Sequence, residues 1–418
     1  MPNQGSSQEG SDPAAGPVQR AALPVSRPVQ QPATLPATEA SARLRAAVNA
    51  AWDRSPTLAG SAGRQAAAAA RGRSADSTTP GSPSLGGGFA SDGLVNRHGG
   101  REAELSLATP LWLPGEGTAT RRVADADVSR LTAQQLAQRL VVAGEVREAL
   151  ATVAQAQVEV AGAASRLRDA RSLEADVGRR VRGRDAAETE LLAARLDRME
   201  SEIALGERQA ALGNAKLAFQ SLTGTEPEPA ALNEPDPPPA IAGSHPRVAE
   251  ADGVAASAEA SRRLAAIQTR ESPEIGIVAR SSREIGSTQF GNRVGIQFRL
   301  PFSTEARNAP RQMAAQAELT EATATAANVR RQVELQTARA RVELDTARQA
   351  AVTARQRAGV YRQQRGLSEA SFRGGLASLG DVIRVRALAT EADVAQARAE
   401  IGVRIARSRV NQSLGILP

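Results

Sequence analysis

The chain repeats itself at an interval of 191 residues, and this constrains its fold more than any other feature. Pro110 and Pro301, Gly183 and Gly374, and Gly224 and Gly415 all share that separation. Proline and glycine punctuate local structure, so three such landmarks at one offset mark a duplicated unit of about 190 residues. The units begin in register to within one residue, at SPTLAG (55–60) and HPRVAE (245–250). In both, the proline is placed to be the first residue of a helix.

Each unit predicts the same order of elements. A helix comes first, over 56–73 and again over 246–269. Two strands follow. In the second unit they are PEIGIVAR (273–280) and RVGIQFRL (293–300), joined by the polar loop SSREIGSTQFGN. In the first unit the second strand is EAELSLAT (102–109), and its partner lies within the Gly-rich stretch 80–94. A very long helix then runs over 117–180 or 305–372, before a Gly-containing turn and a returning helix. The segment TEPEPAALNEPDPPPA (225–240) is too rich in proline for the interior of a helix or strand. The chain therefore divides into a Pro/Ser/Gln-rich extension expected to be disordered (1–36), a first repeat (37–224), a linker (225–240) and a second repeat (241–418).

A helix of about 65 residues spans about 100 Å, wider than any compact domain, so it needs lateral partners along its length. The heptad spacing supplies faces for them. Val142, Val146, Ala149, Val153, Ala156, Val160, Ala163, Leu167 and Ala170 follow alternating steps of four and three, as do Ala340, Leu344, Ala347, Ala351, Ala354, Ala358 and Tyr361. The seams are small, and aromatic residues make up only 2% of the chain. Alanine lets helices approach closely but buries far less than a leucine, for which burial contributes about 1.5–3 kcal/mol. A two-stranded coil of such residues would be weak. A closed ring, in which every helix has two neighbours, is better supported. An ordinary coiled-coil scaffold is the alternative that the helices alone permit.

The strands argue for the ring. A short two-sided strand beside a 100 Å helix has no evident core to join, unless one side meets lipid. Membrane barrel strands alternate apolar and polar residues over about ten positions and carry aromatics at the interface. Leu105, Leu107, Val294, Ile296, Phe298 and Leu300 would face lipid, with Glu104, Gln297 and Arg299 toward a lumen. Trp112 and Phe302 stand just past the strands, where an interfacial girdle belongs. Four strands cannot close a barrel, and lipid tolerates no open edge. Copies must combine: two would give eight strands, with a bore filled by side chains, and three would give twelve, with room for a channel.

Other classes find little to stand on. There is no cysteine, and the two histidines, His98 and His245, are far apart. Thiol chemistry is therefore excluded, and neither a cofactor nor a histidine-based metal centre is expected. The net charge of +7 comes from 52 basic against 45 acidic residues, interleaved along the helices. This is the pattern of solvated helix faces rather than of a nucleic-acid surface. No apolar run is long enough for a transmembrane helix, and no export signal is visible in residues 1–40.

The junction RLPFSTEARNAPRQMAAQAEL, set in this duplicated unit, resembles the TolC-like outer-membrane factors of Gram-negative efflux and type I secretion systems. LPF-STEAR before an Ala-rich helix is most similar to the CzcC-like branch serving heavy-metal cation efflux. The resemblance implies a mainly α fold with a small β part: a homotrimer with a twelve-stranded barrel in the outer membrane, continued by a helical tunnel through the periplasm. It implies a passive duct, not an enzyme, coupled through a periplasmic adaptor (membrane fusion) protein to an inner-membrane RND-type pump. The helix turns Arg182-Gly183-Arg184 and Gly374-Gly375-Leu376 would be the tips that meet the adaptor. Asp381, with Glu190 as its counterpart in the first repeat, would ring the periplasmic aperture. Relatives often carry another acidic group about one turn later, where this chain has Arg384.

Overall fold

The structure is a computed structural model that describes residues 37–91, 100–239, 244–284, 288–302 and 304–418. The extension 1–36 lies outside the described residues. Seven helices and four strands follow in chain order: α1 (Ala37–Asp53), α2 (Pro56–Ala75), β1 (Ser84–Ser91), β2 (Arg101–Pro110), α3 (Glu116–Arg182), α4 (Glu188–Thr223), α5 (Pro246–Ile267), β3 (Glu274–Arg283), β4 (Gly291–Arg299), α6 (Glu305–Arg373) and α7 (Leu379–Ser413).

The two long helices, α3 and α6, begin and end within two residues of the positions that periodicity predicts. Pro56 and Pro246 open their helices, capped by Ser55 and His245, whose side chains accept from the backbone N–H of Thr57 and Arg247. α1 departs from the reading of the sequence, which began the first unit's helices at residue 56. Its Ala40, Leu44, Val48 and Ala51 are buried, and the last three pack with Leu150, Phe219 and Leu232.

Helix order follows from which faces meet. Near the sheet, α3 lies between α2 and α5, and α5 packs on α6. Toward the far end, α3 lies between α4 and α7, and α7 packs on α6. At both levels α3 is interior, α2 or α4 forms one edge, and α6 forms the other. The seam residues Val142, Val146, Val153, Leu167 and Ala170 of α3 are buried, as are Ala340, Leu344, Ala351 and Ala358 of α6. Gly162 shows why small residues are needed there: a Cβ on it would run into Cγ2 of Val394 on α7.

Among the described residues the sheet is antiparallel, in the order β1-β2-β3-β4, with no further strand paired to either outer strand. The register sets Leu107 opposite Leu85 and Ile277, with Ile277 opposite Ile296. Among the described residues, no helix is long and apolar enough to cross a membrane.

His245 couples the start of α5 to the C-terminus. It is buried, and a Cβ on Gly415 would lie 2.8 Å from its ring. Burial, and secondarily the charge of Arg247, pushes its pKa below the ordinary 6.5. The unfolded chain then takes up the proton more readily than the folded one. Stability is full above about pH 6.5 and declines as the pH falls toward the depressed folded value. His245→Asn, which keeps a capping side chain, is expected to flatten this acid loss when urea unfolding is followed from about pH 7 to about pH 5.

Candidate functional site

The sheet sorts its side chains as alternation requires. Antiparallel partners share a side, and successive residues switch sides. Leu105, Leu107, Val294, Ile296 and Phe298 therefore lie on one face, together with Leu85, Phe89 and Ile277. Ile296 is 80% exposed and Val294 77%. Leu300 falls just beyond the end of β4 and is half-buried. Glu104, Gln297 and Arg299 share the opposite face, where Arg280 Nη2 meets Glu104 Oε2 at 2.7 Å and Arg280 Nε meets Glu102 Oε1 at 2.8 Å. Arg299 lies 3.8 Å from Glu274. The same face carries Gly86, Gly88, Gly276 and Gly295. The glycines that make β1 a poor strand in sequence thus keep the polar side shallow. Phe302 is 84% exposed beyond β4. Trp112 instead braces the start of α3: its indole N–H donates to the Ser77 carbonyl at 2.9 Å, and its ring lies against Gly117.

At the other end of α3 and α6, the two turns are built alike. Gly183 and Gly374 cap their helices at φ −78° and −80°. The left-handed position falls one residue later, on Arg184 (φ 65°) and Gly375 (φ 72°). Asp185 N donates to Arg180 O, and Arg184 N to Val181 O; Leu376 N donates to Ser371 O, and Gly375 N to Phe372 O. This is the Schellman pattern of helix termination in both repeats. A left-handed backbone costs a non-glycine residue about 1 kcal/mol. Gly375→Ala is therefore expected to cost about 1 kcal/mol, from the backbone alone, since no atom lies within 4 Å of the added Cβ. Arg184→Gly is expected to be neutral or to raise stability by a few tenths of a kcal/mol, as thermal unfolding would show.

Asp381 is the third residue of α7. Ser378 Oγ accepts from its N–H at 3.1 Å and donates to its Oδ2 at 2.7 Å. Arg384 Nη2 reaches Asp381 Oδ1 at 3.0 Å, in the open. The carboxylate is thus part of a helix start and has a cation beside it. In the first repeat the equivalent cap position is Ala187, with no side-chain bond, and Glu190 is half-buried in the first turn of α4. Arg182, Arg184 and Leu376 are exposed at the turns.

Two features were not foreseen. The first is a buried charge pair. Arg147, in mid-α3, is 4% exposed, and Glu234, in the proline-rich linker, is 3% exposed. They meet through two parallel bonds of 3.0 and 2.7 Å. Arg147 also donates to Gln412 and to the Ile416 carbonyl, while Glu234 accepts from Ser408 and Asn411 on α7. The linker is therefore a clamp between the repeats, with Ala231 and Leu232 also buried.

The second is an unpartnered seam on the edge helix α4. Leu192, Leu196, Met199, Ile203 and Leu217 are half to two-thirds exposed. With Gly206, Ala210 and Gly213 they follow unbroken steps of four and three. On the other edge, α6 exposes Leu335, Val342, Val352, Val360 and Leu367.

A set of solved structures shares this arrangement. VceC, an outer-membrane protein of Vibrio cholerae, is 18% identical at a TM-score of 0.68, covering 90% of this chain and 96% of its own. CusC, solved in work on folding and transmembrane channel formation, is 15% identical at a TM-score of 0.71, covering 96% and 99%. The CmeC outer-membrane channel of Campylobacter jejuni is 16% identical at 0.69, covering 89% and 85%. The chain has the fold of outer-membrane channels. No protein-family model and no curated protein matches the sequence. Nearly the whole chain belongs to the channel fold.

Proposed function

We propose that this chain is the outer-membrane channel of a tripartite efflux system, a homotrimeric passive duct from periplasm to exterior. The observation that carries this reading is that two edges are open both in the sheet and at the far end of the helices. Among the described residues β1 and β4 have free edges, and α4 and α6 expose apolar seams below them. One rotation that sets α4 of one copy against α6 of the next also brings β1 toward β4. Three copies give twelve strands and a bore that side chains do not fill. A scaffold without a channel would leave the apolar sheet face with no partner.

The two seams match in an antiparallel register. Leu192, Met199 and Leu217 climb α4 by the same steps with which Leu367, Val360 and Val342 descend α6. The contact between α3 and α7 inside one copy is the template: shifting Gly162 and Val394 by 191 in opposite directions gives Thr353 and Ile203, within one helical turn of this pairing. Gly206 and Gly213 have no atom within 4 Å of an added Cβ, so their cost of about 1 kcal/mol each in a helix finds its return in a neighbouring copy. The chain lacks cysteine, so Met199→Cys with Val360→Cys offers a clean test. Oxidation should give dimer and trimer bands without reductant, and ring-shaped particles by electron microscopy. A product that stays monomeric would overturn the reading.

In this scheme the turns at Arg182–Arg184 and Gly374–Leu376 meet the periplasmic adaptor, and an RND-type pump in the inner membrane supplies the energy. Heavy-metal cations are the proposed cargo, supported by the LPF-STEAR junction. Asp381 and Glu190 would line the aperture, but Arg384 offsets Asp381, so the mouth would select cations weakly. Single-channel conductance and cation block that change little in Asp381→Ala would fit this. A large change would show that the carboxylate governs the mouth.

A further inference from the structure

We propose that the adaptor surface docking on the turns at the far end of α3 and α6 is acidic, presenting carboxylates to Arg182 and Arg184 beside an apolar contact for Leu376, an inference that rests on the channel reading above. The two turns share one geometry, yet the left-handed position holds Gly375 in the second repeat and Arg184, at φ 65°, in the first. Among the described residues Arg184 is the one residue other than glycine with a left-handed backbone. A side chain there destabilises the turn where glycine would not, so an arginine at this position points to a use outside the turn. Arg182 and Arg184 are exposed, and among the described residues neither guanidinium has a hydrogen bond or an ion pair. Nearby arginines are engaged: Arg179 pairs with Asp176, and Arg384 with Asp381.

The two turns form one tip. Val177 of α3, Ala194 of α4, Phe372 of α6 and Leu379 of α7 share an apolar cluster, and the Arg180 guanidinium lies 4.5 Å over the Phe372 ring. The two arginines and Leu376, which is 86% exposed, therefore stand on one packed base. Asp185 turns away from them: its Oδ2 lies back over Gly183, 3.3 Å from where a Cβ would be. Guanidinium groups take carboxylates in a bidentate fork, and arginine together with an exposed apolar side chain is the composition of an interface centre. Three copies would bring two such guanidiniums each to one ring, a field that steers an acidic partner toward the tips. A lipid headgroup fits less well. α3 is 67 residues long, about 100 Å, and that distance separates the tips from the sheet that meets lipid.

The test uses the full chain, assembled in detergent and followed by biolayer interferometry. Three probes are compared: a synthetic helical hairpin with Glu-Leu-Glu at its turn, the same hairpin with Gln-Leu-Gln, and vesicles of phosphatidylglycerol. The acidic hairpin should bind, and more weakly as salt rises. Arg182→Gln with Arg184→Gly should weaken that binding about tenfold or more. Arg182→Lys with Arg184→Lys, which keeps the charge without the fork, should fall between. Arg184→Gly alone should weaken binding yet unfold on heating no earlier than wild type, since the turn favours glycine. Folding and recognition then pull one position in opposite directions, which a merely structural arginine would not do. Equal binding of the acidic hairpin by the double variant, or of the neutral hairpin by wild type, would overturn the proposal. So would vesicles that bind in preference to the acidic hairpin, because the arginines would then serve lipid phosphate. An assembly that forms rings but ignores the acidic hairpin defeats only this partner chemistry. A wild-type chain that forms no ring defeats the channel reading, and this docking surface with it.

Discussion

Glu234→Ala is expected to destabilise the folded chain by about 3–5 kcal/mol, the cost of leaving one member of a buried ion pair without its partner. Arg147 would keep its bonds to Gln412 and the Ile416 carbonyl, but its charge cannot be shed and would stay buried uncompensated. The linker would also lose its hold on Ser408 and Asn411. Thermal unfolding followed by helical circular dichroism in detergent would read the loss. Replacing the pair together, Arg147→Met with Glu234→Leu, should recover most of it, because a well-packed apolar pair avoids the desolvation of two charges. A Glu234→Ala variant that unfolds like wild type would mean that water or another group already serves Arg147.

The second large effect is expected in assembly. Met199→Arg sets a cation in the middle of the α4 seam, opposite Val360 in the proposed register. Each buried, unpaired charge costs several kcal/mol, and a closed ring of three repeats that cost at every junction. The variant is expected to remain monomeric at concentrations where wild type assembles, with helical content unchanged. Size-exclusion chromatography with light scattering would measure both. Glu207→Gln, also on α4 but off the seam, should assemble like wild type. Unimpaired assembly of Met199→Arg would remove α4 from the interface.

Much of this was legible in the sequence. The ends of α3 and α6, the opening prolines at 56 and 246 and the alternation of β2, β3 and β4 are local properties. They follow from where proline and glycine stand and from a period of 3.5 or 2. The two faces of the sheet followed for the same reason. α1 carried its own signal, Ala40, Leu44, Val48 and Ala51 in steps of four and three, and the α4 seam from Leu192 to Leu217 would have answered to the same period. Glu234 had no such mark. One glutamate among prolines looks like any solvated linker residue until the chain folds it against Arg147, 87 positions away.

The sequence by itself pointed to the duplicated unit, the extent of the two long helices, and which residues of a strand share a side. Only the tertiary structure decided which apolar seams are covered within one copy and which are left open. Heptads on α3 and α4 look alike as text, but α3 lies between other helices while α4 and α6 lie at the edges. Burial depends on what stands across the seam, and that is set by the order of packing, which no local period records.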